Sequence, residues 1–240
     1  MCEEAVSPLN SAARKLPPTL RSFALCCRIY LYGSRSHTMP SLAPRGCGFT
    51  IHEPLGVFAN IVPFNYPVEL AAHKLAPMLV TGNSVVLMPS SKTPRSALLL
   101  VELLVRAGVP AKAVCCVTGA GSKVGSRAAA DPRVAAVSFT GSTRVGINLA
   151  ETCAKSLRPV SLELGGNDAL VIFDDCDYAL ALDEVINGRI GNAGQTCCAS
   201  KRFIVQRGIY DALSGISPLA LQKSKWAIRP TVRRTWPLRA

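Results

Sequence analysis

Between residues 50 and 206, short apolar runs alternate with amphipathic stretches, and this pattern limits the fold more than any other feature of the chain. Val57–Val62, Ser84–Leu87, Ala113–Val117, Val134–Phe139, Val160–Leu164, Ala169–Phe173 and Arg202–Val205 read as strands. Pro67–Leu79, Ser96–Ala107, Ser122–Ala130, Ser142–Ser156 and Asp177–Ile190 read as helices. Pro67 suits a first helical turn, while Gly82-Asn83 and Gly108 mark helix ends. Strands this apolar are covered on both faces, so the pattern predicts an α/β fold with a doubly wound parallel sheet. Such sheets bind ligands at the carboxyl ends of their strands.

The flanks differ. Residues 1–48 carry no sustained period, and the pattern is lost again over 207–240. The net charge is +12, divided as +4 over residues 1–50, +2 over 51–206 and +6 over 207–240. The basic excess therefore sits at the two ends, which reads as solvated tails rather than a nucleic-acid groove. With 49% hydrophobic and 18% charged residues, the chain has ample core material and is not wholly disordered. No run reaches the ~18 apolar residues of a bilayer span, so no membrane partner is expected. Ten cysteines include three adjacent pairs, Cys26–Cys27, Cys115–Cys116 and Cys197–Cys198. There is no C-x-x-C and there are three histidines, so no metal site is expected. Reduced thiols point to the cytoplasm; the Arg- and Ser-containing stretch 11–46 keeps a mitochondrial transit peptide as the alternative.

Four segments carry candidate chemistry. Gly119 to Gly125 joins a strand to a helix, and reads equally as a dinucleotide loop or a plain glycine turn. Phe139-Thr140-Gly141-Ser142-Thr143 is a second such junction, where Ser142 or Thr143 can cap a helix whose free N–H groups face an anion. Glu163, between two leucines at a strand end, is either a general base with a raised pKa or an outward-facing side chain. Asn192 to Cys198 places two thiols in a Gly-containing loop, and sequence physics does not choose between Cys197 and Cys198.

Taken together, five motifs resemble the aldehyde dehydrogenase superfamily in order and spacing: Glu53-Pro54-Leu55-Gly56-Val57, Pro63-Phe64-Asn65-Tyr66-Pro67, Phe139-Thr140-Gly141-Ser142-Thr143, Glu163-Leu164-Gly165-Gly166 and Gly194-Gln195-Thr196-Cys197. The likeness runs from about His52 to Gln206, and Cys197 to Val205 resembles the branch of succinate-semialdehyde dehydrogenases. The resemblance implies NAD(P)-dependent oxidation of a small aldehyde to a carboxylic acid through a cysteine thioester. Cys197 matches the nucleophile, Asn65 the oxyanion donor and Glu163 the base for deacylation. Ser142, Gly141, Gly125, Pro63, Phe64, Ser91 and Leu164 match cofactor-binding positions. It divides the chain into an N-terminal segment 1–48, a Rossmann-like cofactor domain 49–164, the start of the catalytic lobe at 165–206, and a basic tail 207–240.

Departures from the family pattern are equally specific. Met88 stands where the family has a lysine that binds the adenosine ribose, and a thioether cannot donate that bond. Losing a charged donor costs about 1.5–3 kcal/mol, so weak binding of NAD or NADP is expected. Ser91 replaces a glutamate frequent in NAD-selective members, which leaves room for a 2′-phosphate. The family forms homo-oligomers, but its oligomerisation elements have no match here. The likeness ends near Gln206, so the tail reads as a premature end of the family pattern. The alternative to an oxidoreductase is therefore an inactive remnant that at most binds a dinucleotide or a partner.

Overall fold

The computed structural model describes residues 38–40 and 46–214, and the chain divides into two compact units, Met1–Gly165 and Gly166–Ala240. Expectations for residues 1–37 and 215–240, including the Cys26–Cys27 pair and most of the basic tail, lie outside the described residues.

The first unit opens with a small antiparallel hairpin, β1 (Thr38–Pro40) and β2 (Cys47–Phe49). Residues 1–48 were expected to be without pattern. Strands of three residues are too short to show a period of two, which is why the hairpin is invisible in the sequence.

Five further strands form one parallel sheet: β3 (Val57–Val62), β4 (Ser84–Pro89), β5 (Val114–Cys116), β6 (Val134–Thr140) and β7 (Val160–Glu163). Their spatial order is β5-β4-β3-β6-β7. The chain thus builds outward from β3 on one side, then returns to pair β6 against its other edge. This is the doubly wound arrangement, with its switch point between β3 and β6. Helices α1 (Glu69–Val80), α2 (Pro94–Arg106), α3 (Gly121–Ala130) and α4 (Thr143–Ala154) make the crossovers.

Alternation along each strand assigns the two faces. Val62, Val85, Leu87 and Val114 pack against Ala71 and Leu75 of α1 and Ala97 of α2. Ala59, Met88, Val137 and Phe139 pack against Ala129 of α3 and Leu149 and Cys153 of α4. Leu75 and Leu87 are fully buried, each contributing about 1.5–3 kcal/mol of transfer free energy. Gly82 (φ +81°) and Gly108 (φ +105°) follow α1 and α2 in the left-handed region, where a side chain is strained. Arg158 closes the far side: its guanidinium donates to the carbonyls of Asp131 (2.9 Å), Val134 (3.2 Å) and Ala129, and to the Ser156 hydroxyl (2.7 Å).

In the second unit, β8 (Asp168–Ile172) pairs in parallel with β9 (Ser200–Val205) across α5 (Tyr178–Ile190). Asp177 caps α5, accepting from the N–H groups of Ala179 (2.9 Å) and Leu180 (3.1 Å). A further helix begins at residue 207 and continues through 214. The expectation that regular structure is lost from 207 is therefore corrected: Ile209 and Leu213, one helical turn apart, are buried against Ile172, with Val205 and Tyr178 packed beside them. Among the described residues no helix is long and apolar enough to cross a membrane.

Candidate functional site

In the first unit, a cleft of 550 Å³ opens at the carboxyl ends of β3 and β6. Each wall follows from where a strand stops. β3 ends at Val62 and delivers Pro63 and Phe64; β6 ends at Thr140 and delivers Gly141 and Ser142. Gly121, Gly125 and Ser126 of α3 form another side. A Cβ on Gly141 would stand 2.5 Å from Phe139 Cζ, and Phe139 is itself buried, so only glycine fits there. A Cβ on Gly125 would meet Ile61 Cδ1 at 3.5 Å, within ordinary contact.

The floor of the cleft is polar where α4 begins. Ser142 occupies the N-cap position, yet its side chain makes no capping hydrogen bond. The first-turn N–H groups of α4 are thus left to an external acceptor, and the helix dipole favours an anion there. Thr140, which also lines the cleft, has its hydroxyl oxygen buried without a hydrogen-bond partner among the described residues. A pocket of 130 Å³ lined by Met88, Ser90, Ser91, Val117 and Gly119 shares Ile61, Val62, Ser90, Gly121 and Gly125 with the cleft.

Of the residues matched to cofactor binding, Pro63, Phe64, Gly125, Gly141 and Ser142 line the cleft and Ser91 the smaller pocket. Leu164 lines neither. It covers Gly146 of α4, where a Cβ would approach Leu164 Cδ2 to 2.6 Å.

The three residues matched to chemistry fall in both units. Asn65 is half-buried in the loop between β3 and α1. Glu163 is the last residue of β7 and is exposed. Cys197 belongs to the second unit, exposed in a turn after the 3-10 segment Gly191–Gly194. That segment carries three successive residues in the left-handed region, Asn192 (φ +51°), Ala193 (φ +58°) and Gly194 (φ +73°), which swing the chain out of α5 into the thiol loop. Cys198 is exposed as well.

Two lysines in the site regions were not singled out from the sequence. Lys201 donates from Nζ to the carbonyl of Gly166 and, at 3.4 Å, to that of Cys197. It thereby ties Gly166 to the thiol loop. Lys74 is 8% exposed in α1 and donates to the Ser138 hydroxyl at 2.6 Å. Burial pushes its pKa below the ordinary lysine value, and the Glu163 carboxylate partly offsets this. The available signal for Lys74 was its place three residues after Ala71, on the apolar stripe of α1.

The aldehyde dehydrogenase family model matches residues 1–225, wider than the motif-bearing run 52–206. A glutarate-semialdehyde dehydrogenase of Pseudomonas putida is 43% identical over 195 residues, covering 81% of this chain and 40% of the relative. The succinate-semialdehyde dehydrogenase [NADP(+)] of Escherichia coli is 47% identical over 161 residues, covering 67% of this chain and 33% of the relative. The crystal structure of a succinate-semialdehyde dehydrogenase from Burkholderia pseudomallei superposes with a TM-score of 0.79 at 35% identity, covering 85% of this chain and 42% of that one. The chain thus spans between a third and two fifths of the length of the curated relatives it matches. A parallel sheet with its cleft at the β3–β6 switch point, the five motifs and these matches lead to one conclusion: the chain belongs to the aldehyde dehydrogenase family.

Proposed function

We propose that the chain supports NAD(P)-dependent oxidation of a small aldehyde, of the semialdehyde class, to the carboxylic acid. The observation that carries this reading is the cleft at the β3–β6 switch point, walled by Pro63, Phe64, Gly125, Gly141 and Ser142. Its residues fit a dinucleotide. Gly141 admits close backbone approach, the α4 N-terminus has no side-chain cap, and the Thr140 hydroxyl is unpartnered among the described residues. NAD(P)⁺, when bound, supplies the hydride acceptor.

The chain's own residues take the remaining roles. The Cys197 thiolate attacks the aldehyde carbon, forming a C–S bond and an alkoxide. Asn65 donates its side-chain amide to that oxygen. Loss of hydride from the same carbon leaves a thioester on Cys197. Glu163 then takes a proton from water, the water oxygen attacks the thioester carbonyl, and the C–S bond breaks to return the thiolate. Lys201, through the carbonyls of Gly166 and Cys197, supports the loop that presents the sulfur.

Incubation with succinic semialdehyde and NADP⁺ or NAD⁺ tests the proposal by two readouts, reduced-nicotinamide absorbance and peptide mass. An acyl adduct on Cys197 that accumulates in Glu163→Gln is the expected result. Nucleotide binding without any adduct would replace it with the non-catalytic dinucleotide-binding reading.

A further inference from the structure

In the second unit, one face of the paired strands β8 and β9 has no cover among the described residues. Ile172 and Val205 are register partners and turn toward Ile209, Leu213 and α5. Side chains alternate along a strand, so Val171, its register partner Ile204, and Phe173 turn the other way. Their exposures are 50%, 53% and 61%, and none of the three packs into the buried cluster of this unit. Adjacent apolar side chains left open beside charged residues mark a docking surface, where single scattered ones do not.

The border of this face is acidic at the carboxyl ends of the strands. Asp174 and Asp175 follow directly on Phe173, are exposed, and make no ion pair among the described residues. Residues 166–214 carry seven Asp or Glu against four Lys or Arg, a net charge of −3. Residues 46–165 carry six against eleven, a net +5. Residues 215–240 carry six Lys or Arg and no acid, a net +6. Charge therefore draws this tail to the second unit and away from the first. The tail also brings apolar side chains, with Leu219, Leu221, Trp226 and Ile228 interleaved among Lys223, Lys225 and Arg229. Trp226 follows Ser214 by twelve residues. That length reaches up to about 40 Å, several times the width of a two-stranded sheet.

We propose that residues 219–229 of this chain's own tail dock on the face formed by Val171, Phe173 and Ile204, with Lys223 and Lys225 at Asp174 and Asp175. The basic tail is then a working part of the second unit instead of a solvated extension. Its apolar side chains hold it in place and its charges direct it, since exposed ion pairs contribute little by themselves. Attachment to the same chain gives the tail an effective concentration of about a millimolar, which a second copy at micromolar concentration does not match. Cys197 precedes β9, at the opposite end of the strands from Asp174, so the docked segment leaves the thiol loop open. The proposal is independent of the oxidoreductase reading.

Both tryptophans of the chain, Trp226 and Trp236, lie in the tail, so indole fluorescence reports on the tail alone. In the whole chain carrying Trp236→Phe, Trp226 emission is expected at shorter wavelength than that of a solvated indole, and independent of protein concentration. Adding Phe173→Ser with Ile204→Ser should return it to the solvated wavelength. Adding Asp174→Asn with Asp175→Asn should move it part of the way. All four face positions are exposed, and far-ultraviolet circular dichroism checks the fold of each variant. In the unaltered chain, a zero-length carbodiimide should join Asp174 or Asp175 to Lys223 or Lys225 within one molecule, as peptide mass mapping of mixed light and heavy chains reads. Solvated emission from Trp226 with the face intact would overturn the proposal, as would the lack of that cross-link. Short-wavelength emission that survives Phe173→Ser with Ile204→Ser would overturn it by placing Trp226 elsewhere. Emission that reverts on dilution, with cross-links between light and heavy chains, would overturn it in favour of a second copy on the face.

Discussion

Lys74 donates from Nζ to the Ser138 hydroxyl at 2.6 Å, joining α1 to strand β6 through a charged group in a buried place. Burial lowers the Lys74 pKa from its ordinary 10.5, with the Glu163 carboxylate opposing. The unfolded chain keeps this proton up to the ordinary value, while the folded chain releases it earlier. Unfolding therefore takes up a proton in the window between, and stability should rise with pH through that window. Lys74→Met should be more stable at about pH 7 by on the order of 1 kcal/mol, and the double variant with Ser138→Ala more so. Urea titrations at about pH 7 and pH 10 check this; parallel pH dependence in the chain and Lys74→Met would contradict it.

Leu157 holds φ at +52° with 93% of its surface exposed. Its side chain returns little for the left-handed backbone it imposes, a cost of about 1–2 kcal/mol. Glycine removes that cost and adds about 0.5–1 kcal/mol of unfolded-state entropy. Leu157→Gly should therefore gain up to about 1 kcal/mol, a rise in melting temperature of about 2–4 °C. A fall in melting temperature would show that Leu157 packs in a way its exposure conceals.

Arg158 collects the carbonyls of Ala129, Asp131 and Val134, which end α3 and lead into β6. Arg158→Ala should cost about 2–4 kcal/mol by urea unfolding, and Arg158→Lys should recover less than half, since an ammonium cannot span the fork. Full recovery by lysine would mean that charge, not the planar geometry, makes the clamp.

Burial raises the pKa of Cys115, Cys116 and Cys153, and the Arg158 guanidinium partly offsets this at Cys153. Each therefore holds less thiolate near neutrality than an ordinary cysteine. Iodoacetamide at about pH 7.5 should label Cys197 ahead of all three, and also ahead of Cys198. Raising the pH to about 9.5 should close the gap with Cys115, which is exposed. Peptide mass mapping reads the order, and Cys198 leading would reassign the nucleophile.

The strands and helices of the sheet were legible because their apolar periods are long and bounded by Pro, Gly and Asn. Val57–Val62 is found at its expected bounds, and Val134–Thr140 extends the expected strand by one residue. The hairpin at Thr38–Pro40 and the helix from 207 were not legible: the first is too short for a period, and the second rests on two buried residues, Ile209 and Leu213, in a basic stretch. The place of Gly141 and Ser142 at a strand-to-helix junction could be read from the sequence alone. The roles of Lys74 and Lys201 could not, since each depends on a partner tens of residues away, Ser138 and Gly166. Local sequence carries periods and turns; it does not carry which lysine ends up opposite which oxygen.

The pairing of β3 with β6 also has a consequence in time. β4 follows β3 closely, but β6 follows β3 by roughly 75 residues, a delay of about 4–15 s at ordinary rates of synthesis. Through that interval the nascent chain can pair β4 with β3, and later β5 with β4, while the other edge of β3, from Val57 to Ile61, has no strand to pair with. An open, apolar edge at the centre of a future sheet is a template for another chain. The same edge that later borders the cleft is, during translation, the point at which chaperone capture or co-aggregation has its opportunity, and slowing elongation between residues 90 and 134 should lower the soluble yield.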